Sequence, residues 1–201
     1  MTDNHVTLYY VPGACSLAVH IALIEAGMPY KLVRVERDKQ TEDGRDFMSI
    51  NPKGYVPALQ LRDGTILTEN PVILAYIAHE TGTLLAKEGL DRWRALESTS
   101  FMNSELHSHY KPLFYPDTSE ADREKARQNL VRRFATITQL LGDKRYLVGD
   151  RMTIADAYLF VMLTWAENFG LAIDASLKRY VIRSREIPCV AQALAEEGLK
   201  V

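Results

Sequence analysis

A cysteine stands where a predicted strand gives way to a predicted helix. In the run Pro12-Gly13-Ala14-Cys15-Ser16, the Pro-Gly pair ends the strand and helical spacing begins at Cys15. A helix N-terminus presents unpaired N–H groups and about half a positive charge, and both favour a thiolate over a thiol. Cys15 is therefore a candidate for thiol chemistry. The alternative is a small residue buried beneath the first helical turn.

The helix end alone does not supply enough free energy to ionise this thiol at neutral pH. Lowering a thiol pKa from about 8.5 to about 6.5 needs about 2.7 kcal/mol. An exposed helix terminus typically supplies about 0.3 to 1 kcal/mol. We therefore expect further hydrogen-bond donors close to Cys15. The next residues contain no second cysteine, so an intramolecular dithiol exchange is excluded and any exchange needs an external thiol.

Two further segments carry groups suited to a peptide ligand. Pro57 has no N–H, so the preceding Val56 keeps its backbone N–H and C=O free for an extended ligand. Glu69 and Asn70 precede Pro71 at a predicted helix start, where free N–H groups can bind a carboxylate and Glu69 can pair with an ammonium. Taken separately, strand initiation at Pro57 and N-capping by Asn70 are the commoner meanings of these residues.

The N-terminal elements bring these segments together. A strand-helix-strand order implies a parallel pair joined by a right-handed crossover, and Asp63-Gly64 predicts an antiparallel hairpin. This order is that of a thioredoxin-like domain ending near Thr81, and it places all three segments at one end of the sheet. The predicted elements are strand 6–11, a helix from 15 to about 27, strand 30–35, a short helix at 47–50, strands 58–61 and 66–67, and a helix from 70 to about 81.

After Gly82 the sequence shows helical spacing without a convincing strand pattern. Thr153 and Asp156 form a capping box before an apolar segment, which predicts a central buried helix. The fold class is therefore an α/β thioredoxin-like N-terminal domain, residues 1–81, and an all-α helical bundle, residues 82–201. The predicted helices are 90–110 with Trp93 on its apolar stripe and Pro112 after its end, a helix capped by Asp117 or Thr118 that runs to 141, and helices 157–165, 174–185 and 188–197.

Composition excludes several functional classes. The 201 residues are 47% hydrophobic and 25% charged, which is an ordinary globular mixture. A net charge of -2 gives no general attraction to nucleic acid or anionic membrane. With neither a signal-like start nor an apolar run long enough to span a bilayer, we expect a cytoplasmic location. Cys15 and Cys189 are far apart and lack metal-ligand spacing, so we expect neither a disulfide framework nor a metal.

Several runs resemble bacterial beta-class glutathione S-transferases, and the resemblance covers nearly the whole chain. It implies the glutathione S-transferase fold and a cytosolic, homodimeric detoxification enzyme with glutathione as cosubstrate. The domain at 1–81 would bind glutathione, and the helical domain at 82–201 would form the electrophile site. The runs are 9–17 (Tyr-Tyr-Val-Pro-Gly-Ala-Cys-Ser-Leu), 51–59 (Asn-Pro-Lys-Gly-Tyr-Val-Pro-Ala-Leu), 63–69 (Asp-Gly-Thr-Ile-Leu-Thr-Glu), 105–107 (Glu-Leu-His) and 153–160 (Thr-Ile-Ala-Asp-Ala-Tyr-Leu-Phe).

The resemblance also implies roles for single residues. Cys15 would lie beside the glutathione sulfur, and His107 would be the additional donor and the second catalytic residue. Val56, before a cis Pro57, would pair with the cysteinyl backbone. The remaining residues implied to bind glutathione are Glu69 and Asn70 at its γ-glutamyl end, Lys39 in the loop after the second strand, and Ser100, Ser104 and Glu105 from the helical domain.

Three departures from the family pattern are visible. Asn70 stands where serine or glycine is common, which keeps the backbone donor and changes the side-chain contact. Ser100 stands where an asparagine contacts glutathione. The loop after the second strand is one residue shorter, so the choice between Lys39 and Gln40 as a ligand contact stays open. His109 lies about 200° around the helix from His107, and we expect no equivalent role for it.

The leading hypothesis is glutathione transfer to small hydrophobic electrophiles. One alternative is glutathione-dependent thiol reduction, in which Cys15 itself forms a mixed disulfide that a second glutathione resolves. Another alternative is a non-catalytic protein of the same fold that binds hydrophobic compounds or a stress-response partner. We expect neither nucleic acid nor a membrane as a partner.

Overall fold

The computed structural model of the protein describes residues 4–200. The predicted order of elements is confirmed: a strand-helix-strand unit, a short helix, a hairpin and a helix come first, and helices follow. The elements are β1 Val6–Tyr10, α1 Ser16–Glu25, β2 Tyr30–Arg34, α2 Phe47–Ile50, β3 Ala58–Gln60, β4 Ile66–Thr68, α3 Asn70–Thr81, α4 Leu90–Phe101, a π-helical segment Met102–His107, α5 Ser108–Phe114, α6 Glu120–Leu141, α7 Ile154–Asn168, α8 Ala175–Arg185 and α9 Pro188–Glu196.

The sheet explains why residues distant in sequence meet at one place. Its strand order is β2-β1-β3-β4, with β1 parallel to β2 and antiparallel to β3, and with β3 antiparallel to β4. Tyr9 near the end of β1 pairs with Ala58 at the start of β3. The loop that leaves β1 toward Cys15 therefore lies next to the Val56-Pro57 segment that enters β3.

Helix α1 lies between the sheet and the helical half of the chain. All its residues from Ser16 to Leu23 are buried because the helix is apolar on nearly every side. It packs against α3, α7 and α9, and the main hydrophobic core runs without a break from Leu8 in β1 to Leu194 in α9. Cys15, at the start of this helix, is consequently held at the junction of the two halves. The proposed boundary between residues 81 and 82 stays a prediction.

Helix α7 is the central helix of the second half, as predicted. The capping box is confirmed: the Thr153 side chain accepts from the backbone of Asp156, and the Asp156 carboxylate accepts from the N–H of Thr153 at 2.9 Å. The same carboxylate accepts hydrogen bonds from the backbone N–H of Leu147 and the hydroxyl of Tyr180. These three partners join the start of α7 to α8 and to the preceding loop.

Three details of the helical half differ from prediction. Trp93 is 64% exposed, so it does not belong to the buried stripe of its helix. Pro112 lies within α5, which continues to Phe114. Helix α6 is capped by Ser119, whose hydroxyl accepts from the N–H of Asp122, rather than by residue 117 or 118. Among residues 4–200, no helix is both long and apolar enough to cross a bilayer.

Candidate active site

Two cavities open where the end of β1, the start of β3 and the π-helical segment meet. The larger has a volume of about 680 Å³ and the smaller about 230 Å³. Cys15, Tyr55, Val56 and His107 line both cavities and so stand between them. The larger cavity is otherwise lined by Val11, Pro12, Gly13, Ala14, Arg34, Val35, Glu36, Arg37, Lys39, Phe47, Gly54, Phe114 and Trp165. The smaller is otherwise lined by Asn51, Lys53, Pro57, Thr68, Glu69, Asn70, Asn103 and Lys111.

Cys15 is a neutral thiol in this structure. Only 7% of the residue is exposed, and its Sγ donates to the carbonyl oxygen of Val56 at 3.3 Å. Burial raises the pKa of Cys15 to about 12, although backbone N–H groups at the helix start act in the opposite direction. The helix terminus thus acts in the expected direction, but desolvation outweighs it, and the thiol of Cys15 keeps its proton in the protein alone.

His107 is an uncharged base rather than the cationic donor that a thiolate would favour. Burial lowers the pKa of His107 to about 4, and the positive charge of Lys111 acts in the same direction. Nδ1 lies 2.7 Å from the hydroxyl of Tyr158, which donates its single proton to Oδ1 of Asn103 at 3.1 Å. With the Tyr158 hydroxyl donating to Asn103, Nδ1 carries the imidazole proton and donates to Tyr158. This arrangement leaves Nε2 as a hydrogen-bond acceptor.

Val56 offers its backbone as predicted. The peptide bond between Val56 and Pro57 is cis, which confirms that expectation. Among residues 4–200, nothing accepts a hydrogen bond from the Val56 N–H, whereas its carbonyl oxygen accepts from Cys15. A carbonyl oxygen has two lone pairs, so it can accept a second donor at the same time.

Glu69 occupies an unusual backbone position at the start of α3. Its φ is 71°, in the left-handed region, where a residue with a side chain is strained by about 1 to 3 kcal/mol. Its carboxylate pairs with the ammonium of Lys53 at 2.8 Å, and both side chains are more than half exposed. Strain of this kind concentrates at ligand-binding sites. Glu69 and Lys53 thus present one negative and one positive group at the smaller cavity.

Asn70 does not cap α3, contrary to the sequence prediction. The capping position belongs to Glu69, and Nδ2 of Asn70 instead donates to the carbonyl oxygen of Cys15 at 2.9 Å. The residue is only 3% exposed, and its Oδ1 is buried without a hydrogen-bond partner among residues 4–200. An unpaired buried acceptor costs about 1 to 3 kcal/mol. The Asn70 side chain therefore links the start of α3 to the segment around Cys15, and its Oδ1 can still accept a hydrogen bond.

The loop after β2 brings Lys39 to the larger cavity. Nζ of Lys39 donates to the carbonyl oxygen of Gly54 at 2.8 Å and lies 5.9 Å from the centre of the Tyr55 ring. Gln40 is absent from the walls of both cavities, and its backbone bridges instead to Asp46. Of the two residues left open by the sequence, only Lys39 lines one of the two cavities.

Ser100, Ser104 and Glu105 line neither cavity of a single chain. Both serines are exposed, and Ser104 donates to the carbonyl oxygen of Ser100 one turn earlier. The Glu105 carboxylate faces α6, where it pairs with Arg133 at 2.7 Å. Of the residues expected from the helical half, His107 alone is brought to Cys15 within one chain. His109 lines a different cavity, between α5 and α6.

Sequence reasoning missed the aromatic wall of the larger cavity. The rings of Phe114 and Trp165 lie 4.8 Å apart, and the His107 ring lies 5.1 Å from Trp165. Trp165 also donates from its indole nitrogen to the carbonyl oxygen of Gly13 at 2.8 Å. Helical spacing indicated that Trp165 is buried in α7, but spacing carries no information on which distant loop it contacts.

The polar residues around His107 were also missed. Asn103 and Lys53 give no local signal, since neither belongs to a recognisable spacing pattern. Tyr158 lies in the run at 153–160, which we interpreted as a helix start and as part of the family resemblance, without assigning a role to Tyr158 itself. Among residues 4–200, no group of three or more His, Cys, Asp and Glu side chains is arranged to hold a metal ion.

Comparison with known proteins gives consistent matches over most of the chain. The family model for the glutathione S-transferase N-terminal domain matches residues 13–80, and that for the C-terminal domain matches residues 99–187. The chain is 40% identical over 199 residues to glutathione S-transferase GstA of Escherichia coli O157:H7, an alignment that covers 96% of this chain and 99% of that protein.

Solved structures of bacterial glutathione S-transferases are similar in fold and sequence. A ternary complex of BphK, a bacterial enzyme of this kind, superposes with a TM-score of 0.92 at 40% identity and covers 96% of this chain and 100% of its own. The beta-class enzyme of Sphingomonas chungbukensis gives a TM-score of 0.89 at 40% identity, with the same coverage of both chains. A sphingomonad enzyme complexed with glutathione gives 0.88 at 40% identity, again covering 96% and 100%.

Proposed function

Because this chain belongs to the glutathione S-transferase family, we propose that Cys15 and His107 activate the thiol of glutathione for attack on small hydrophobic electrophiles. The observation that carries the proposal is the position of Cys15, Val56 and His107 between two cavities of different character. A glutathione molecule whose thiol lies at this wall could be bound by the polar groups of the smaller cavity. The second substrate could then approach the thiol from the larger cavity.

The smaller cavity suits the γ-glutamyl end of glutathione, which is a zwitterionic amino acid. Its ammonium would pair with the carboxylate of Glu69, and its carboxylate with the ammonium of Lys53 and the N–H groups at the start of α3. The unpaired Oδ1 of Asn70 lies in the same region and offers one further acceptor. Ligand binding would thus replace the Glu69–Lys53 ion pair by two pairs with the ligand.

The cysteinyl unit of glutathione would extend along the segment before β3. Its carbonyl oxygen would accept from the free N–H of Val56, and its N–H would donate to the Val56 carbonyl oxygen. That second bond can take the place of the one from the Cys15 S–H, which is then free to donate to the ligand sulfur. Because its pKa is raised to about 12, Cys15 keeps its proton and acts as a donor. The glycine carboxylate would meet Lys39.

The chemistry follows from the imidazole arrangement. Nε2 of His107 takes the proton of the glutathione thiol as the sulfur attacks, and the Cys15 S–H and the imidazolium stabilise the charge that develops. With an aryl halide, the sulfur forms a bond to the ring carbon and the halide leaves with the bonding electron pair. The proton on His107 then passes to solvent. The larger cavity would hold the electrophile against Phe114 and Trp165, which bind apolar surface without directional contacts.

Thiol reduction through Cys15 is not favoured by this geometry. A cysteine that attacks a disulfide must be a thiolate, and burial makes Cys15 a poor one. The test compares conjugation of a chlorodinitrobenzene with reduction of a glutathione mixed disulfide, using the wild type and Cys15→Ala. We expect Cys15→Ala to retain conjugation within about threefold, since it loses one weak S–H donor.

The reverse result would support the reductase. That result is weak conjugation by the wild type, disulfide reduction that disappears in Cys15→Ala, and a glutathione adduct on Cys15 in intact-mass measurements. A wild type that binds glutathione and turns over neither substrate would support the non-catalytic alternative. Cys15→Ser is the matched control because it replaces the S–H donor with an O–H donor.

We further propose a cytoplasmic homodimer that acts in bacterial detoxification. Support for the dimer comes from exposed apolar side chains on adjacent helices: Val72 on α3 is 52% exposed, and Leu90 and Trp93 on α4 are 65% and 64% exposed. Contiguous exposed apolar surface of this kind marks protein interfaces. Light scattering should show a dimer for the wild type and a monomer for Trp93→Glu. Ile182→Glu on α8, which alters a residue 59% exposed, should stay dimeric.

A further inference from the structure

We propose that Tyr158 and Asn103 are positioning residues that hold the imidazole of His107 in the tautomer with Nε2 unprotonated. The consequence for catalysis rests on the proposed function, in which this nitrogen takes the proton of the glutathione thiol. Asn103 lines the smaller cavity, whereas Tyr158 lines neither cavity. Tyr158 can therefore act on the reaction only through His107.

The His107 ring is oriented by one face of α7. Tyr158 and Trp165 are seven residues apart in this helix, which places them on the same face, two turns from each other. Their rings contact the imidazole edge-on, with centroids 6.2 Å and 5.1 Å from that of His107. Tyr158 is fully buried, so packing holds its hydroxyl beside Nδ1. These two rings set the plane of the imidazole and thus the direction of Nε2.

The hydroxyl of Tyr158 decides which ring nitrogen of His107 is protonated. A phenol has one proton and can accept as well as donate. The Tyr158 proton goes to Oδ1 of Asn103 at 3.1 Å, so its oxygen is left to accept from Nδ1 of His107 at 2.7 Å. A neutral imidazole has a single N–H, and the hydrogen bond at one nitrogen determines the state of the other. A proton held on Nδ1 therefore leaves Nε2 unprotonated.

Asn103 sets the direction of this chain of hydrogen bonds. It lies four residues before His107 in the π-helical segment, and the two side chains reach the same hydroxyl of Tyr158. Oδ1 of Asn103 is the acceptor at the end of the chain. Without that acceptor, the Tyr158 proton would turn to Nδ1, and the imidazole proton would move to Nε2. A residue one helical turn away thus controls the state of the nitrogen that faces the substrate.

The direct test measures the tautomer by proton–nitrogen correlation spectra of ligand-free protein labelled with nitrogen-15 in histidine, near neutral pH. The signals of His107 are identified by their absence in His107→Ala. We expect Nδ1–H in the wild type, a larger fraction of Nε2–H in Tyr158→Phe, and mainly Nε2–H in Asn103→Leu. Asn103→Asp keeps an acceptor oxygen and should retain the wild-type tautomer.

Tyr110→Phe is the matched control for the kinetic comparison. Tyr110 is also fully buried, and its hydroxyl donates to the carbonyl oxygen of Met162 at 2.7 Å. Its loss should leave the His107 tautomer unchanged and kcat within about twofold of the wild type. In Tyr158→Phe we expect kcat for conjugation to fall about tenfold, with less than about a twofold change in glutathione KM, because only the proton acceptor is affected.

The outcomes separate this inference from the proposed function. A folded variant of Tyr158→Phe or Asn103→Leu that keeps the wild-type tautomer would overturn the role of the residue it lacks. Nε2–H in the wild type would overturn the whole inference. Should Tyr158→Phe fail to fold, Asn103→Leu tests the same chain at a less buried residue. A changed tautomer with unchanged kcat would support the positioning role and reject the proposed function, because the reaction would then not need an unprotonated Nε2.

Discussion

The two cavities beside Cys15 differ in size and in the kind of surface that they offer. The smaller, of about 230 Å³, is lined by charged and amide side chains such as Glu69, Lys53 and Asn70. The larger, of about 680 Å³, combines the aromatic rings of Phe114 and Trp165 with a rim of cations. Directional hydrogen bonds and ion pairs select one ligand shape, whereas apolar contact accepts many. The comparison teaches that one chain places a charged, polar surface and an aromatic surface on opposite sides of a single thiol.

The largest expected effect comes from changing His107, which lines both cavities. His107→Ala should lower kcat for conjugation about 100-fold, because it removes the acceptor for the thiol proton. It should leave glutathione KM within about threefold, since the recognition groups of the smaller cavity stay in place. Steady-state kinetics with a chlorodinitrobenzene measures both values. A loss confined to KM would mean that His107 binds glutathione without activating it.

The pH profile tests the same residue. With the His107 pKa at about 4, the imidazole is neutral above about pH 5. Nε2 of His107 stops acting as a proton acceptor only as pH falls through this pKa and the ring becomes protonated. We expect kcat/KM of the wild type to be level between about pH 5 and 8. His107→Ala should instead rise with pH as the thiol ionises near its ordinary pKa of about 8.5. Identical slopes in both proteins would exclude the proposed proton transfer.

Glu69→Gln addresses the smaller cavity alone. Losing the carboxylate that pairs with the γ-glutamyl ammonium should raise glutathione KM about tenfold and leave kcat at saturation within about twofold. Glu186→Gln is the matched control and should change neither value. Calorimetric titration with glutathione gives an independent affinity. An unchanged affinity in Glu69→Gln would show that the strained residue at the start of α3 serves a purpose other than ligand binding.

Phe114→Ala addresses the larger cavity alone. Removing one ring of the aromatic wall should raise the KM for an apolar electrophile about fivefold, with no change in glutathione KM. Tyr115→Ala is the control, since the neighbouring Tyr115 lines a different cavity between α5 and α6. If glutathione affinity also fell in Phe114→Ala, the proposal that glutathione and the electrophile bind in separate cavities would be wrong.

The smallest expected effect concerns charge at the rim of the larger cavity. Arg34 is paired with Glu36, whereas Arg37 has no ion-pair partner among residues 4–200. An unpaired cation there should favour electrophiles that carry a carboxylate. Arg37→Ala should lower the ratio of kcat/KM for a chloronitrobenzoate over that for a chloronitrobenzene about threefold, as expected for an exposed pair. Arg37→Lys should retain the ratio, and an equal loss for both substrates would contradict the prediction.

Most of the fold could be predicted because its signals are local. Alternating and helical spacing, the Asp63-Gly64 turn and the capping box at Thr153 each follow from residues close together in sequence, and the structure confirms the elements they indicate. The errors concern choices between neighbouring polar residues, such as the cap of α6. The helical spacing of apolar residues places Trp93 on the apolar face of its helix. It does not indicate whether another part of the chain covers that face, and in the structure Trp93 is exposed.

The active site was harder to predict because its properties depend on burial and on distant contacts. The segments around Cys15, Val56 and Glu69 could be found from their positions at the ends of strands. The charge state of Cys15 could not, since the helix-end argument omitted a desolvation effect that is larger. The contacts of Gly13 with Trp165 and Glu197 join residues more than 150 positions apart, which no local pattern reports.

The π-helical segment has a consequence for how His107 came to face Cys15. A π turn holds one residue more than an α turn, and one residue corresponds to about 100° of rotation in an ordinary helix. The wider turn over Met102–His107 therefore rotates His107 and all of α5 by roughly a quarter turn relative to an unbroken α-helix of the same sequence. The direction in which the His107 imidazole points thus depends on the extra residue in the π-helical turn that precedes it.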